Sequence, residues 1–121
     1  MFFVVHKTKL QRMISIVRED RTAKTQNENV PYLRLEAKGN QLTISSPEIS
    51  AGFPCTVYES GVLFIKTTKF RKVLKATKIK EDFLSFQVTD ESLIFADVRF
   101  NYNNQNMILY KNPDDAPNIW P

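Results

Sequence analysis

The sequence predicts an α+β domain built from a duplicated β-α-β-β-β unit, with two helices on one side of antiparallel sheets. Three observations lead there. Short runs that alternate apolar and polar residues, such as YLRLEA at 32–37 and QLTIS at 41–45, mark strands with one face buried. Two other stretches space their apolar residues at helical intervals, Leu10, Met13, Ile14 and Val17 in one, Phe70, Val73, Leu74 and Thr77 in the other. The same order of elements then occurs twice along the chain. At 121 residues this is one domain, large enough to bury a core.

Residues 2–6 form a β-branched and aromatic run that reads as the first strand. Thr8 is placed to cap the helix that follows. A polar stretch without periodicity, from Asp20 to Asn29, reads as an exposed loop carrying Arg21 and Lys24. Pro31 opens the next strand, and Lys38-Gly39-Asn40 is a hairpin signal leading into Leu42 and Ile44. Ser46-Pro47-Glu48 interrupts the pattern, after which Ile49, Ala51, Phe53, Cys55 and Val57 restore a period of two. Pro54 lacks an amide proton, so this strand is expected at an edge or bulged there.

Ser60-Gly61 marks the midpoint. Residues 62–66 read as a strand, followed by a second helix capped by Thr68, a strand at 83–88, a turn at Asp90-Glu91, and strands at 93–102 and 107–110. TKLQRMIS (8–15) lies over TKFRKVLK (68–75): Leu10, Met13 and Ile14 fall on Phe70, Val73 and Leu74, and Arg12 on Lys72. Phe3 and Val5 likewise fall on Leu63 and Ile65. The expected repeats are 1–59 and 60–111, with an irregular tail over 112–121.

Charge is distributed unevenly. The net charge is only +4, yet residues 66–80 carry seven basic side chains and no acidic one. At 100° per residue, Lys72 and Lys75 point away from the apolar stripe, with Lys69 and Arg71 on its flanks. In the first helix Arg12 lies opposite the stripe, and Lys9 and Arg18 flank it. Duplication would set the two basic faces side by side. Such faces serve either as solvated surface or as a contact for a polyanion.

The chain resembles one domain of the bacterial DNA polymerase III β sliding clamp. PYLRLEA at 31–37 with GNQLTI at 39–44 is similar to that family's strand pair after its first helix, and 49–59 to its following strand. GVLFI at 61–65, running into Lys69, Phe70, Val73 and Leu74, is similar to the strand and helix of its second repeat. The segment PDDAP at 113–117 is similar to its acidic, proline-flanked domain exit. The resemblance implies a DNA-clamp-like fold whose helices face duplex DNA without sequence preference. Carried over by position, the DNA-binding residues are Lys9, Arg12, Arg18, Arg21, Lys24, Lys69, Arg71, Lys72, Lys75 and Lys78. The chain departs from the family in holding one such domain rather than three, and in extra length between Val98 and Leu109. Open sheet edges lead us to expect a dimer or higher oligomer, and the resemblance brings in replication or repair proteins as partners.

Other residues receive structural readings. His6 ends a strand and has no companions for metal or general-base work. Cys55 alternates with apolar neighbours and is expected as a core thiol; one cysteine permits no internal disulfide and fits a cytoplasmic protein. The carboxylate pairs Glu19-Asp20, Glu81-Asp82, Asp90-Glu91 and Asp114-Asp115 sit in turns or at element ends. Three glycines supply no phosphate-cradling loop, and no apolar run has the length of a membrane span. Phe100, Tyr102 and Tyr110 read as core aromatics before base-stacking ones. Trp120 either anchors a partner or folds back on the domain. We therefore expect no cofactor, no metal and no enzymatic activity, but a DNA-associated clamp-like protein. The alternative is a protein–protein interaction or regulatory module with this fold that does not encircle DNA.

Overall fold

The structure, a computed structural model, describes residues 1–19, 32–46, 50–76, 81–101 and 106–117; along the first helix the described side chains are those of Lys7, Thr8, Lys9, Gln11, Arg12, Met13 and Ser15. In chain order the elements are β1 (Phe2–His6), α1 (Lys7–Glu19), β2 (Tyr32–Lys38), β3 (Gln41–Ser45), β4 (Ser50–Pro54), β5 (Thr56–Glu59), β6 (Gly61–Lys66), α2 (Thr67–Ala76), β7 (Phe83–Val88), β8 (Ser92–Phe95), β9 (Val98–Asn101) and β10 (Met107–Tyr110). A single 3-10 turn, Pro113–Asp115, follows, with the Asn112 side chain accepting from the Asp114 amide.

The strands form two five-stranded antiparallel sheets, ordered β5-β1-β7-β8-β9 and β10-β6-β2-β3-β4. Their registers correspond. In the first sheet Phe3 lies between Val57 and Phe86; in the second Leu63 lies between Leu109 and Leu35. The opening strand of each half therefore joins the meander of the other half. Local pattern fixes which face of a strand is buried but leaves its partner open, and this exchange was not expected from the sequence.

Alternation accounts for the faces. Leu33, Leu35, Ala37, Leu42 and Ile44 are fully buried, while Arg34, Glu36 and Thr43 between them are half-buried. Gly39 and Asn40 make the β2–β3 turn with φ of 59° and 55°, the positive pair that a two-residue hairpin of this hand requires. In the first sheet Phe3 stacks on Phe86 with centroids 4.9 Å apart, and Phe95 meets Phe86 edge-on at 5.2 Å. Met13 from α1 and Phe70, Val73 and Leu74 from α2 complete one core shared by both sheets and both helices. Each fully buried Phe or Leu contributes about 1.5–3 kcal/mol.

Several expectations need correction. The run from Ile49 to Val57 is two strands, β4 and β5, which edge different sheets; the chain crosses between them at Cys55, whose amide donates to the Asn40 carbonyl at 3.1 Å. Pro54 does sit on an edge strand. The expected strand at 93–102 is a hairpin, β8–β9, turning at Ala96 with φ of 53°. The turn is Ala96-Asp97; Asp97 is the one residue there that favours a reversal, with neither glycine nor proline beside it to break the strand pattern. Among the described residues each half thus holds five strands rather than four. Thr8 does not precede α1; it lies inside it, and the His6 ring nitrogen Nδ1 accepts from the Thr8 amide at 3.2 Å. Likewise α2 starts at Thr67, which is fully buried, one residue ahead of Thr68. Cys55 is half-buried against the core rather than fully enclosed, and desolvation raises its thiol pKa above 9.0. The loop with Arg21 and Lys24, the break at Pro47 and Glu48, Thr77, Lys78, Tyr102 and Trp120 lie outside the described residues. Among those described, no helix is long and apolar enough to cross a membrane.

Candidate nucleic-acid interface

The two helices pack against one another, which follows from their origin. Each continues directly from its opening strand, β1 or β6; α2 buries Phe70, Val73 and Leu74 in the common core, and Met13 of α1 joins them there. The opposite faces are left to solvent. On α1, Gln11, Arg12 and Ser15 are exposed and Lys9 is half-buried; on α2, Thr68, Lys72, Lys75 and Ala76 are exposed and Lys69 and Arg71 are half-buried. Arg12, Lys72 and Lys75 therefore stand where the helical spacing placed them. The Arg18 side chain lies outside the description, as do Arg21, Lys24 and Lys78.

Acidic residues avoid this layer. Among the described residues α2 has none and α1 has Glu19 at its last position, whereas Glu36, Glu59, Glu81, Asp82, Asp90, Glu91, Asp97, Asp114 and Asp115 occupy strands and turns. Neither helix has an acid in its first turn, where one would favour the dipole by about 0.3–1 kcal/mol. Arg71 and Lys75 are four residues apart on α2, a like-charge spacing that costs about 0.2–0.5 kcal/mol. Helix stability by itself does not favour this composition. Lys75 in the last turn of α2 is the exception, since a cation suits that end.

Several cations are paired with carboxylates: Lys7, at the start of α1, with Asp82 and Lys111 with Asp90, each at 3.0 Å, and Arg34 with Glu36 at 2.9 Å. Lys69 has a different partner. Its ammonium lies 5.2 Å from the ring centroid of Phe100 on β9. Phe100, expected as a core aromatic, does pack partly on the core; its pairing with Lys69 depends on the β8–β9 hairpin. Tyr110 packs edge-on to Phe64, centroids 6.0 Å apart.

Among the described residues the rest of the surface offers no comparable assembly. A groove of about 550 Å³ lined by Met1, Glu59, Ser60, Val88, Thr89, Asp90 and Lys111 opens at the far ends of β1 and β6 from the helices, and its Asp90 is already engaged by Lys111. Among the described residues no three His, Cys, Asp or Glu side chains converge to hold a metal.

Comparison with solved structures gives the class: the fold is that of one domain of bacterial β sliding clamps. The Helicobacter pylori β clamp, solved with a DNA ligase peptide, matches with a TM-score of 0.62 at 17% identity over 98% of this chain and 33% of its own. Caulobacter crescentus DNA polymerase III β gives 0.65 at 12% identity, covering 98% and 32%. The Pseudomonas aeruginosa DNA polymerase III β subunit gives 0.62 at 15%, also covering 98% and 32%. The chain spans about a third of the length of these clamps. No family model matches the sequence, and no curated protein does.

Proposed function

We propose that this chain is a non-catalytic, DNA-associated clamp-like protein whose helix layer contacts the phosphate backbone of duplex DNA. The observation that carries the reading is the pair of packed helices whose exposed Arg12, Lys72 and Lys75 stand on a layer nearly free of acids. Lys9, Lys69 and Arg71 flank these three, and Arg18, Arg21, Lys24 and Lys78 extend the set by position in the sequence. Lysines and arginines on helix faces neutralise phosphates without reading base edges, the chemistry of non-specific binding. The clamp-domain fold supports the same reading, and with it a role in replication or repair.

The test is duplex binding measured across a salt series. We expect affinity to fall linearly on logarithmic axes, with a slope of about −0.9 per phosphate neutralised, and little preference for sequence. Replacing Arg12, Lys72 and Lys75 together by Glu is expected to abolish binding while leaving the fold intact. Unchanged binding in that variant would remove the helix layer from the interface. A second reading, a protein-binding module that does not encircle DNA, is favoured by the four strands β4, β5, β9 and β10 at open sheet edges. It takes over if the wild-type chain binds no duplex at low salt.

A further inference from the structure

The geometry points to Phe100 as a positioning residue for Lys69, fixing one cation at the margin of the helix layer. This rests on the functional reading above and adds to it a residue from the opposite structural layer. Phe100 sits on the inner face of β9, paired with the fully buried Leu93. Because β9 ends its sheet, no further strand among the described residues flanks the ring on that side. The half-buried Lys69 comes from α2 and brings its ammonium to 5.2 Å from the centroid. Its methylene stem thus lies along apolar surface while the charge stays accessible, and the ring's negative face attracts the ammonium.

The consequence concerns entropy as much as charge. Lys72 and Lys75 are exposed and must be ordered when they meet a phosphate, at a cost for each long side chain. Lys69 is already held. Its cation remains available, and binding there orders fewer rotamers. The ring must supply a π face for this; an aliphatic residue of similar bulk would fill the space without holding the cation.

The experiment is a double-mutant cycle on duplex affinity over a salt series, using wild type, Phe100→Leu, Phe100→Tyr, Lys69→Met and the Lys69→Met/Phe100→Leu pair. Lys69→Met is expected to weaken binding and reduce the salt slope by about 0.9. Phe100→Leu is expected to weaken binding roughly two- to fivefold at an unchanged slope, Phe100→Tyr to restore it, and Phe100→Leu to add nothing in the Lys69→Met background. An equal loss in both backgrounds, or none in either, overturns the positioning role and leaves the DNA reading standing. Failure of the wild type to bind duplex overturns both. NMR of the wild-type chain supplies a readout independent of any variant's folding: the Lys69 ε-methylene protons are expected upfield of those of Lys72 through the ring current. Coincident shifts contradict the contact.

Discussion

Asp82 shows how one side chain records the tie between a helix start and the strand beside it. The Lys7 amide donates to the Asp82 carbonyl at 2.8 Å and the Lys7 ammonium reaches its carboxylate at 3.0 Å. The hydrogen bond from Lys7, then its charge, hold the Asp82 carboxyl below the ordinary 3.8. A depressed acid contributes stability above its unfolded pKa, and that contribution disappears as pH falls through the lower folded value. Carbon-13 NMR titration should place the Asp82 midpoint below 3.8 in the wild type and return it towards 3.8 in Lys7→Met; a wild-type midpoint at or above 3.8 contradicts the pairing. Ala96 is the other informative residue. A left-handed alanine costs about 1–2 kcal/mol, against about 0.5–1 kcal/mol for the extra chain entropy of glycine. Ala96→Gly is therefore expected to stabilise the fold by about 0.5–1 kcal/mol in urea unfolding, and a loss of stability would show that the turn relaxes another way.

Among the elements, those with one face in the core and one in solvent were readable before folding. The β2–β3 hairpin was legible because Leu33, Leu35, Leu42 and Ile44 alternate with polar residues and Gly39-Asn40 supplies the turn chemistry. The basic face of α2 was legible for the same reason at helical spacing. What escaped were a reversal and a crossing with weak local signals: the β8–β9 turn has only Asp97 to mark it, with alanine at the left-handed position, and Cys55 carries the chain between sheets within an unbroken alternation. The Lys69–Phe100 contact was hidden because it depends on that unseen turn. Close approaches between elements are equally silent in sequence. At Gly61, which opens β6, an added Cβ would lie 2.9 Å from Met1 Cβ and 3.3 Å from the Tyr110 carbonyl oxygen. That is a junction of β6 with β10 and the start of the other sheet, and a side chain there must push backbone aside. Gly61→Ala is expected to destabilise by about 1–3 kcal/mol, read as an earlier chemical-denaturation midpoint; wild-type stability would mean that the junction yields.

At the scale of the whole molecule, the charge layout and the topology bear on each other. The sheets and turns carry most of the described acids while exposed Arg12, Lys72 and Lys75 stand on the helices, so the molecule has an electrostatic front and back despite a net charge of only +4. Sequence could supply the basic periodicity of each helix. Which strands would hold the helices side by side is a non-local matter, decided by pairings such as Phe3 with Phe86 and Leu63 with Leu35.

Those pairings also set when the protein can fold. β1 precedes its partner β7 by most of the described chain, and β2 must wait for β6 before its sheet is closed. Each half supplies only one neighbour of its opening strand, β5 for β1 and β10 for β6, and leaves the other side to the other half. Separate fragments 1–60 and 61–121 are therefore expected to lack native circular dichroism on their own and to regain it when mixed. Native signal from either fragment in isolation would contradict this. A chain wired in this way folds late, dominated by contacts distant in sequence, and its two halves are complementary parts rather than independent modules.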